Sequence, residues 1–347
     1  MGIGPLLAKV LRARGMRSRE SALSYLNPSL DSPMHLVGLQ DAADRVRLAV
    51  RRGETVFIHG DYDVDGITST VIVRETLHAL GLKPHCYIPD REDEGYGLGA
   101  DAVRLAGSKG ASLLVAVDCG TSDSESVGLA RSLGMDVVIL DHHKPHALAP
   151  DASVIVNPHS SPGAGSTHYA AAGLCFRLAQ ELLGHAAAHM EDLAALGTIA
   201  DVMPLLGDNR AIVKAGLQVL SRSERPAVTA LLQVSRLSGA ITARQVAFIL
   251  APRLNAAGRM GDATRAFELL TEADPARALH LAAELDQENR RRQELCQQML
   301  DEALLLTGQA GFPVAVLARE GWPKGLLGLV AGNLCERLER PVCAVSV

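Results

Sequence analysis

Four short runs of apolar residues punctuate the first half of the chain, and segments with helical spacing lie between them. The runs are nearly continuous rather than alternating, which is typical of parallel strands covered on both faces. Strands that alternate with helices favour an α/β fold built on a doubly wound, mostly parallel sheet. The strand candidates are 55–58, 112–117, 137–140 and 153–156, and the helix candidates include 69–80, 100–109 and 124–133.

The second half of the chain has a different pattern. From about residue 170 to 270 the spacing is mainly helical, and Asp274 followed by Pro275 then predicts the start of a helix of about thirty residues. The middle of that helix is polar on all sides, so we expect it to connect two bodies. A new α/β pattern begins at Pro313. Because the sequence stops inside a predicted strand at 342–347, we expect it to be truncated within this last domain.

These patterns predict four parts, and charge sets the first apart from the others. Residues 1–52 carry nine Lys or Arg against four acids, a local charge of +5. Because the net charge of the whole chain is −5, the remaining residues carry a charge of −10. A basic arm beside an acidic body suits a protein that contacts a polyanion and holds metal cations, although a solvated helical face would give the same count. The parts are a basic helical N-terminal arm (1–52), an α/β catalytic domain with a helical subdomain (53–272), a connecting helix (273–308) and an incomplete α/β domain (309–347).

Composition limits the class of protein. With 48% hydrophobic and 21% charged residues, the 347-residue chain has the material for a large core, and wholesale disorder is excluded. Apolar runs stop near ten residues, short of the roughly 20 that cross a bilayer. The sequence shows no secretory signal, and its six cysteines without a C-x-x-C pair favour buried thiols in a reducing compartment. We therefore expect a cytoplasmic protein.

Acidic and imidazole side chains collect where the predicted strands end. The first strand runs into HGDYDVDG (59–66), the second ends at Asp118, and the third ends at the triplet DHH (141–143). In open α/β sheets, ligands bind beyond these carboxyl ends. A single aspartate at a strand end is usually a turn former or a helix cap. Three coincident ends, however, would repel one another unless cations lay between them.

The types of ligand indicate which cations these would be. Oxygen and imidazole ligands without thiolate favour Mn²⁺ or Mg²⁺. The number of ligands suffices for two ions about 3.5–4 Å apart, an arrangement that clamps the attacking and leaving oxygens of a phosphoryl displacement. Asp201, in the apolar segment 193–205, is a further candidate because an unpaired acid is costly to bury. A helix-end cap before Pro204 is the alternative for Asp201.

Six stretches of the sequence match, in order, the motifs of one family. They are HGDYDVDG (59–66), EGYGL (94–98), VDCG (117–120), DHH (141–143), GTIADVMPL (197–205) and PRLNAAGRM (252–260). Over nearly its whole length the sequence thus resembles the DHH phosphoesterase superfamily, and within it the RecJ family. The resemblance implies that 53–272 is a DHH catalytic domain and that 309–347 begins a DHHA1-like domain.

The resemblance implies a metal-dependent exonuclease that digests single-stranded DNA from 5′ to 3′ in recombination and repair, with two Mn²⁺ or Mg²⁺ ions. Asp63 and Asp118 would hold one ion; Asp65, Asp118, His142 and Asp201 would hold the other, with Asp118 bridging. His143 would face the scissile phosphate. The implied metal-binding positions are His59, Asp61, Asp63, Asp65, Asp118, His142 and Asp201. Single-strand-binding protein and a helicase are the implied protein partners.

Polar and basic side chains near these motifs are expected to bind the DNA backbone. The candidates are Arg91, Asn255, Arg253 and Arg259, the last three in one predicted loop. Arg253 and Arg259 are equally compatible with a structural role that ties the helical region to the sheet. Residues 290–292, all arginine, either line a strand path or form a solvated face. Only 3% of the residues are aromatic, so backbone electrostatics should dominate affinity over base stacking.

The sequence departs from the family pattern at three points. Cys119 stands where RecJ proteins usually carry Asn, Pro323 stands where a His usually follows Trp322, and the Gly- and His-containing substrate motif of the last domain is absent. Two alternatives are a DHH phosphodiesterase for short oligonucleotides or cyclic dinucleotides, and a non-catalytic Cdc45-like replication scaffold. The motif at 252–260 argues against the first, and the complete set of acids argues against the second.

Overall fold

The structure is a computed structural model that describes residues 3–30, 36–145, 149–160, 168–307 and 313–347. The domain boundary predicted at 308/309 lies outside these residues. Within the described ranges, five strands form one sheet: β1 (Val56–His59), β2 (His85–Tyr87), β3 (Leu113–Val117), β4 (Asp136–Leu140) and β5 (Val154–Val156). Two further strands, β6 (Ala315–Arg319) and β7 (Val342–Ser346), form a separate parallel pair.

The large sheet is parallel throughout, in the order β2-β1-β3-β4-β5. The four strands predicted in the first half of the chain and the one predicted at its end are confirmed, each to within one residue at either end. The apolar pattern does not predict β2. Its residues are exposed or half-buried at the sheet edge, where a strand has one neighbour and needs little apolar surface.

Fifteen α-helices occur in the described part of the chain. They are α1 (Pro5–Ala13), α2 (Arg19–Leu26), α3 (Leu39–Arg52), α4 (Val64–Ala79), α5 (Ala100–Ser108), α6 (Ser124–Ser132), α7 (Ala171–Leu183), α8 (Glu191–Ala200), α9 (Gly207–Arg222), α10 (Pro226–Val234), α11 (Ala243–Gln245), α12 (Ala251–Met260), α13 (Thr264–Thr271), α14 (Pro275–Thr307) and α15 (Leu327–Leu338). In the described ranges, none has the combination of length and apolar composition that spanning a bilayer requires.

Two of these helices differ from prediction, for local reasons. α4 begins at Val64 rather than at residue 69, because the Asp63 side chain caps it inside the first motif. The prediction of a loop at 252–260 is wrong, because these residues belong to α12. Pro252 lies in the first turn of α12, where its missing N–H costs little, and a π-helical turn at Val246–Leu250 precedes it.

Helices cover both faces of the large sheet, as the continuous apolar strands predict. Leu113 and Val115 of β3 pack in the core beneath α3, α4, α7 and α8. Leu114 and Ala116 point the other way, into the smaller core formed with α5 and α6. The alternation confirms the doubly wound α/β fold.

The long helix α14 contributes to two cores, which confirms its connecting role. Ala278 and Leu285, in its first half, belong to the main core. Met299 and Leu300, further along, pack with Trp322 in a third core beside β6, β7 and α15. The α/β unit predicted from residue 313 is therefore present and is attached to the rest of the chain through this helix.

Candidate metal centre and strand-binding cavity

The carboxyl ends of β1, β3 and β4 meet at one edge of the sheet. The strand order reverses between β1 and β3, and sheets of this order bind their ligands in the crevice at that point. Asp118 follows β3 directly and has a φ of 62°. Aspartate adopts this left-handed conformation more readily than most residues, and strained positions of this kind concentrate at functional sites. The turn delivers the Asp118 carboxylate into the crevice.

Asp61, Asp63 and Asp118 form one group in which a ligand atom from each residue lies within 4.8 Å of the others. Oδ1 of Asp63 accepts hydrogen bonds from the backbone N–H of Asp65 at 2.9 Å and of Gly66 at 3.1 Å. This cap of α4 fixes the carboxylate and leaves Oδ2 for another partner. Gly66 is required here, because a Cβ would lie 2.5 Å from the Asp61 backbone nitrogen.

Asp65, His142 and Asp201 form a second group. Nε2 of His142 lies 3.7 Å from Oδ2 of Asp65 and 3.6 Å from Oδ2 of Asp201. The two carboxylate oxygens of Asp65 accept hydrogen bonds from the backbone N–H of Ala171 at 2.7 Å and of Ala172 at 2.8 Å. These are the first N–H groups of α7, and a helix N-terminus stabilises negative charge. The helix therefore holds Asp65 in one orientation.

Asp118 lies between the two groups. It belongs to the first with Asp61 and Asp63, and its Oδ1 is 3.2 Å from Nε2 of His142 in the second. It also forms a third group with His142 and His143. Asp118 is therefore the acid that lies close to residues of both groups and that two ions could share.

The acids of this cluster repel one another, and three of them keep a buried oxygen without a donor among the described residues. Oδ1 of Asp61, Oδ1 of Asp118 and Oδ2 of Asp201 are buried and accept no hydrogen bond from any described residue. Burial, and after it the neighbouring carboxylates, raises the pKa of Asp65 and of Asp118 well above the ordinary value. Buried acceptors without donors are costly, and divalent cations would supply the missing positive charge. The donor set therefore fits two Mn²⁺ or Mg²⁺ ions.

The pKa values of three more ligand candidates follow from the same causes. Burial, and then the charge of Asp63, raises the pKa of Asp61 to about 7 and that of Asp201 to about 6. Burial, and then the charge of His143, lowers the pKa of His142 to about 4. At neutral pH His142 is a neutral imidazole with a free lone pair, which is the form that binds a metal.

Asp141 orients the other two residues of its triplet. Oδ1 accepts hydrogen bonds from the backbone N–H of His142 at 2.7 Å and of His143 at 3.1 Å, and it lies 2.8 Å from Nδ1 of His143. Oδ2 accepts a hydrogen bond from the Thr121 backbone at 3.1 Å. Burial opposes ionisation of Asp141, but the hydrogen bonds from His143 and Thr121 lower its pKa to about 2. The same contact raises the pKa of His143.

A cavity of about 300 Å³ opens beside the metal cluster. Asp61 and Asp63 of the first group line it, together with cationic, amide and aromatic side chains: Arg91, Tyr96, His143, Asn255 and Arg259. The hydroxyl of Tyr96 lies 2.9 Å from Nδ1 of His143 and 3.4 Å from the carbonyl oxygen of Asp118. Tyr96 thus connects the cavity wall to the cluster.

The polar residues of the cavity wall are held by contacts with the protein. The Arg91 guanidinium lies 5.1 Å from the centre of the Tyr62 ring. Nη1 of Arg259 donates a hydrogen bond to the carbonyl oxygen of Gly325 at 3.3 Å. Oδ1 of Asn255 accepts from the Val64 backbone at 3.1 Å, so its NH₂ group remains available to a ligand. The cavity thus brings hydrogen-bond donors and candidate metal ligands together in one space.

Comparisons with known proteins agree with this arrangement. The family model "DHH family, N-terminal domain" matches residues 55–201. A crystal structure of exonuclease RecJ bound to manganese matches with a TM-score of 0.84 and 37% sequence identity, over 92% of this chain and 82% of that one. The chain belongs to the RecJ family of DHH proteins.

Two further relatives extend the comparison. The single-stranded-DNA-specific exonuclease RecJ of Bacillus subtilis is 40% identical over 99% of this chain and 45% of its own length. The crystal structure of RecJ with Mn²⁺ from Thermus thermophilus matches with a TM-score of 0.82 and 34% identity, over all of this chain and 53% of that one. The chain therefore spans about half the length of these two RecJ proteins.

Two residues predicted for the RecJ site lie elsewhere. His59 is buried, with Nε2 3.2 Å from the Gly97 carbonyl oxygen and its ring stacked on Tyr87, and it joins none of the three ligand groups. Arg253 is paired with Asp286, 2.8 Å from Nη2 to Oδ1, and does not line the cavity. Phosphate contact is therefore not supported for Arg253. Its role is structural, but the contact ties α12 to α14 and not, as expected, the helical region to the sheet.

Sequence reasoning missed several residues of the RecJ site. Asp141 belongs to the signature triplet, yet nothing in the sequence distinguishes this orienting acid from a ligand. Tyr96 lies in the motif at 94–98, and its place in that motif could have marked it as a site residue. The N–H groups of Ala171 and Ala172 carry no side-chain signal at all. Cys119, the departure beside Asp118, is buried in the smaller core, and burial raises its pKa so that the thiol stays neutral.

Proposed function

We propose that this chain is a metal-dependent exonuclease that hydrolyses phosphodiester bonds of single-stranded DNA from the 5′ end. The observation that supports this most is that one cavity is lined both by acids of the first group and by Arg91 and Arg259. A phosphate placed there would meet both metal ligands and guanidinium groups. The names of the RecJ relatives, single-stranded-DNA-specific exonucleases, supply the substrate class.

The ligand groups suggest a role for each acid. Asp61, Asp63 and Asp118 would hold one ion, and Asp65, His142 and Asp201 would hold the second, shared through Asp118. Two divalent cations, when bound, supply the Lewis-acid charge that activates water and offsets the charge growing on the phosphate oxygens. Residues outside both groups would position the substrate.

The protein residues around the phosphate would have distinct tasks. His143, whose pKa is raised by its hydrogen bond to Asp141, would in its protonated form donate a hydrogen bond from Nε2 to a phosphate oxygen. Arg91, Arg259 and the NH₂ group of Asn255 would fix the strand by its backbone. Because these donors contact phosphate rather than base edges, cleavage should depend little on sequence.

The wider assignment rests on the family. We propose the division into an N-terminal arm (1–52), a DHH domain (53–272), a connecting helix (273–308) and a DHHA1-like unit (309–347). A cytoplasmic role in recombination and repair, alongside single-strand-binding protein and a helicase, goes with the RecJ assignment. α14 and the third core support the last two of these divisions.

The test is a time course on single-stranded DNA with Mn²⁺, with 5′- and 3′-labelled strands run in parallel. We expect immediate release of labelled mononucleotide from the 5′ label and gradual shortening of the 3′-labelled strand. Release from the 3′ label first would reverse the polarity. Cleavage only of fragments of two to five nucleotides would indicate a short-substrate phosphodiesterase instead.

Two controls tie the result to the proposed centre. Excess EDTA should abolish cleavage, and added Mn²⁺ should restore it. Asp118→Asn should also abolish cleavage, and added Mn²⁺ should not restore it. The substitution keeps the shape of the side chain but removes the charge that the two ions would share. Cleavage by Asp118→Asn at the parental rate would refute the two-ion assignment.

A further inference from the structure

A second, smaller groove of about 180 Å³ continues from the cavity, away from the metal ligands. The two share Ala200, Asn255 and Arg259. The groove then runs between α12 and the helices of the C-terminal half, where Arg292 of α14 and Leu329 of α15 line it. A ligand that enters the cavity can therefore extend past Arg259 without leaving the protein surface.

Arg292 differs from the two arginines that precede it on α14. Nη2 of Arg290 is neutralised by Asp286, 2.7 Å from its Oδ2, and Arg291 is exposed to solvent. Arg292 is half-buried, and both Nε and Nη2 donate to Oδ1 of Asn289, at 3.1 and 3.0 Å. Asn289 is itself buried, so it fixes the guanidinium. Because the Asn289 amide is neutral, it leaves the positive charge of Arg292 uncompensated.

The groove is therefore lined by two guanidinium groups that form no ion pair with a described residue. Neither Arg259 nor Arg292 has a carboxylate within 4 Å among the described residues. Burial lowers the pKa of each. The charges of Arg91 and then Arg292 lower the pKa of Arg259 further, and Asp63 offsets them only in part. Two half-buried guanidinium groups that repel each other are stabilised by an anion between them. Arg292 keeps Nη1, which Asn289 does not engage, for that anion.

We propose that Arg292, with Arg259, forms a second phosphate subsite, which binds a phosphodiester next to the one that is cleaved. This rests on the proposed function and deepens it. A strand with one phosphate at the metal cluster would lay its next phosphate in the groove, so the protein would hold two consecutive backbone positions. The substrate class is then a strand of at least three nucleotides, rather than a dinucleotide or a free nucleotide.

The test compares Arg292→Gln with Arg291→Gln, which removes the same charge from the next position on the same helix. Binding of a fluorescent oligothymidylate is measured by anisotropy in EDTA, so that no cleavage is needed. We expect Arg292→Gln to weaken binding roughly tenfold, the effect of one charge-assisted hydrogen bond. Its plot of log affinity against log salt should be flatter by about 0.7, one phosphate contact to a single strand. Arg291→Gln should bind like the parent.

Other outcomes separate the two proposals. Equal losses in both variants, or no loss in Arg292→Gln, would overturn the subsite. Arg292→Lys, which keeps the charge, should retain most of the affinity. If Arg292→Lys loses affinity while its unfolding temperature is unchanged, that result would also count against the subsite. In Mn²⁺, the preference of the parent for a pentanucleotide over a dinucleotide should shrink in Arg292→Gln. If the parent binds the strand but cleaves neither substrate, the proposed function fails while the subsite stands.

Discussion

The cluster at the sheet edge predicts that removing one of its charges stabilises the metal-free protein. Asp61 is buried, one of its oxygens has no donor among the described residues, and Asp63 is its neighbour. Asp61→Asn keeps the shape of the side chain, removes the charge and adds an NH₂ group that can donate to an adjacent carboxylate. We therefore expect the variant to unfold at higher denaturant concentration than the parent when no metal is present.

The size of the effect follows from the pKa. Burial raises the pKa of Asp61 from an ordinary 3.8 to about 7. At about 1.4 kcal/mol per pKa unit, the ionised form costs the metal-free fold at most roughly 4 kcal/mol near neutral pH. Relaxation and water reduce this, so we expect a gain of about 1–3 kcal/mol. Between pH 3.8 and 7 the native state holds a proton that the unfolded state has lost, so metal-free parent stability falls as pH rises through that window.

Asp141 provides the opposite case at the same sheet edge. Hydrogen bonds from His143 and Thr121 outweigh its burial and lower its pKa from 3.8 to about 2. The ionised carboxylate therefore stabilises the fold by roughly 2 kcal/mol above pH 3.8, and this is lost as pH falls through about 2. Asp141→Asn should destabilise the protein by a similar amount at neutral pH, whether or not metal is present.

The assay is urea unfolding of the three proteins near pH 7.5, in EDTA and in Mn²⁺. In EDTA, Asp61→Asn should be the most stable of the three proteins and Asp141→Asn the least stable. In Mn²⁺ the parent and Asp141→Asn, which both keep every proposed ligand, should gain more stability than Asp61→Asn, which binds the metal more weakly. If Asp61→Asn is less stable than the parent in EDTA, the ionised Asp61 carboxylate stabilises the metal-free fold, and the prediction is wrong.

Three further variants test single contacts. Gly197→Ala would place a Cβ 2.7 Å from Oδ1 of Asp65, so calorimetry should show weaker Mn²⁺ binding. Arg253→Gln breaks the pair with Asp286 and should cost about 2 kcal/mol in urea unfolding, while the folded protein still binds oligonucleotide. Val202 has a φ of 56°, strained for a β-branched residue, so Val202→Gly should raise stability by about 1 kcal/mol. An unchanged or lower unfolding temperature would contradict the last.

The elements that the sequence predicts well are those whose burial is uniform. β3 and β4 are covered on both faces, so each appears as an unbroken apolar run. α14 begins at Pro275, where Asp274 caps it through the Arg277 backbone at 2.7 Å, and both the cap and the proline are visible in the sequence. In these cases one local rule, applied to neighbouring residues, is sufficient.

The elements that the sequence predicts poorly depend on tertiary contacts. The helix at 251–260 contains a proline, an asparagine and a glycine, all of which favour a loop in isolation. Gly258 allows α12 to pack so closely that a Cβ would lie 2.6 Å from the Tyr62 carbonyl oxygen, and Asn255 caps α4 across the interface. The residues that look like loop formers are those that let this helix approach the site.

The site itself shows the limit of residue type as a guide. Asp61, Asp63, Asp118, Asp141 and Asp201 are chemically identical, and four of them lie at strand ends. What separates Asp141 from the others is its hydrogen bonds: both its oxygens accept from the protein, whereas Asp61, Asp118 and Asp201 each keep a buried oxygen without a donor among the described residues. A buried oxygen without a donor marks Asp61, Asp118 and Asp201 as acids that a cation would satisfy. Asp65, whose two oxygens accept from Ala171 and Ala172, joins the candidate ligands through its position beside His142. These distinctions depend on backbone N–H groups and neighbouring side chains brought in by the fold, so only the structure could show which acids support the centre and which are suited to bind metal.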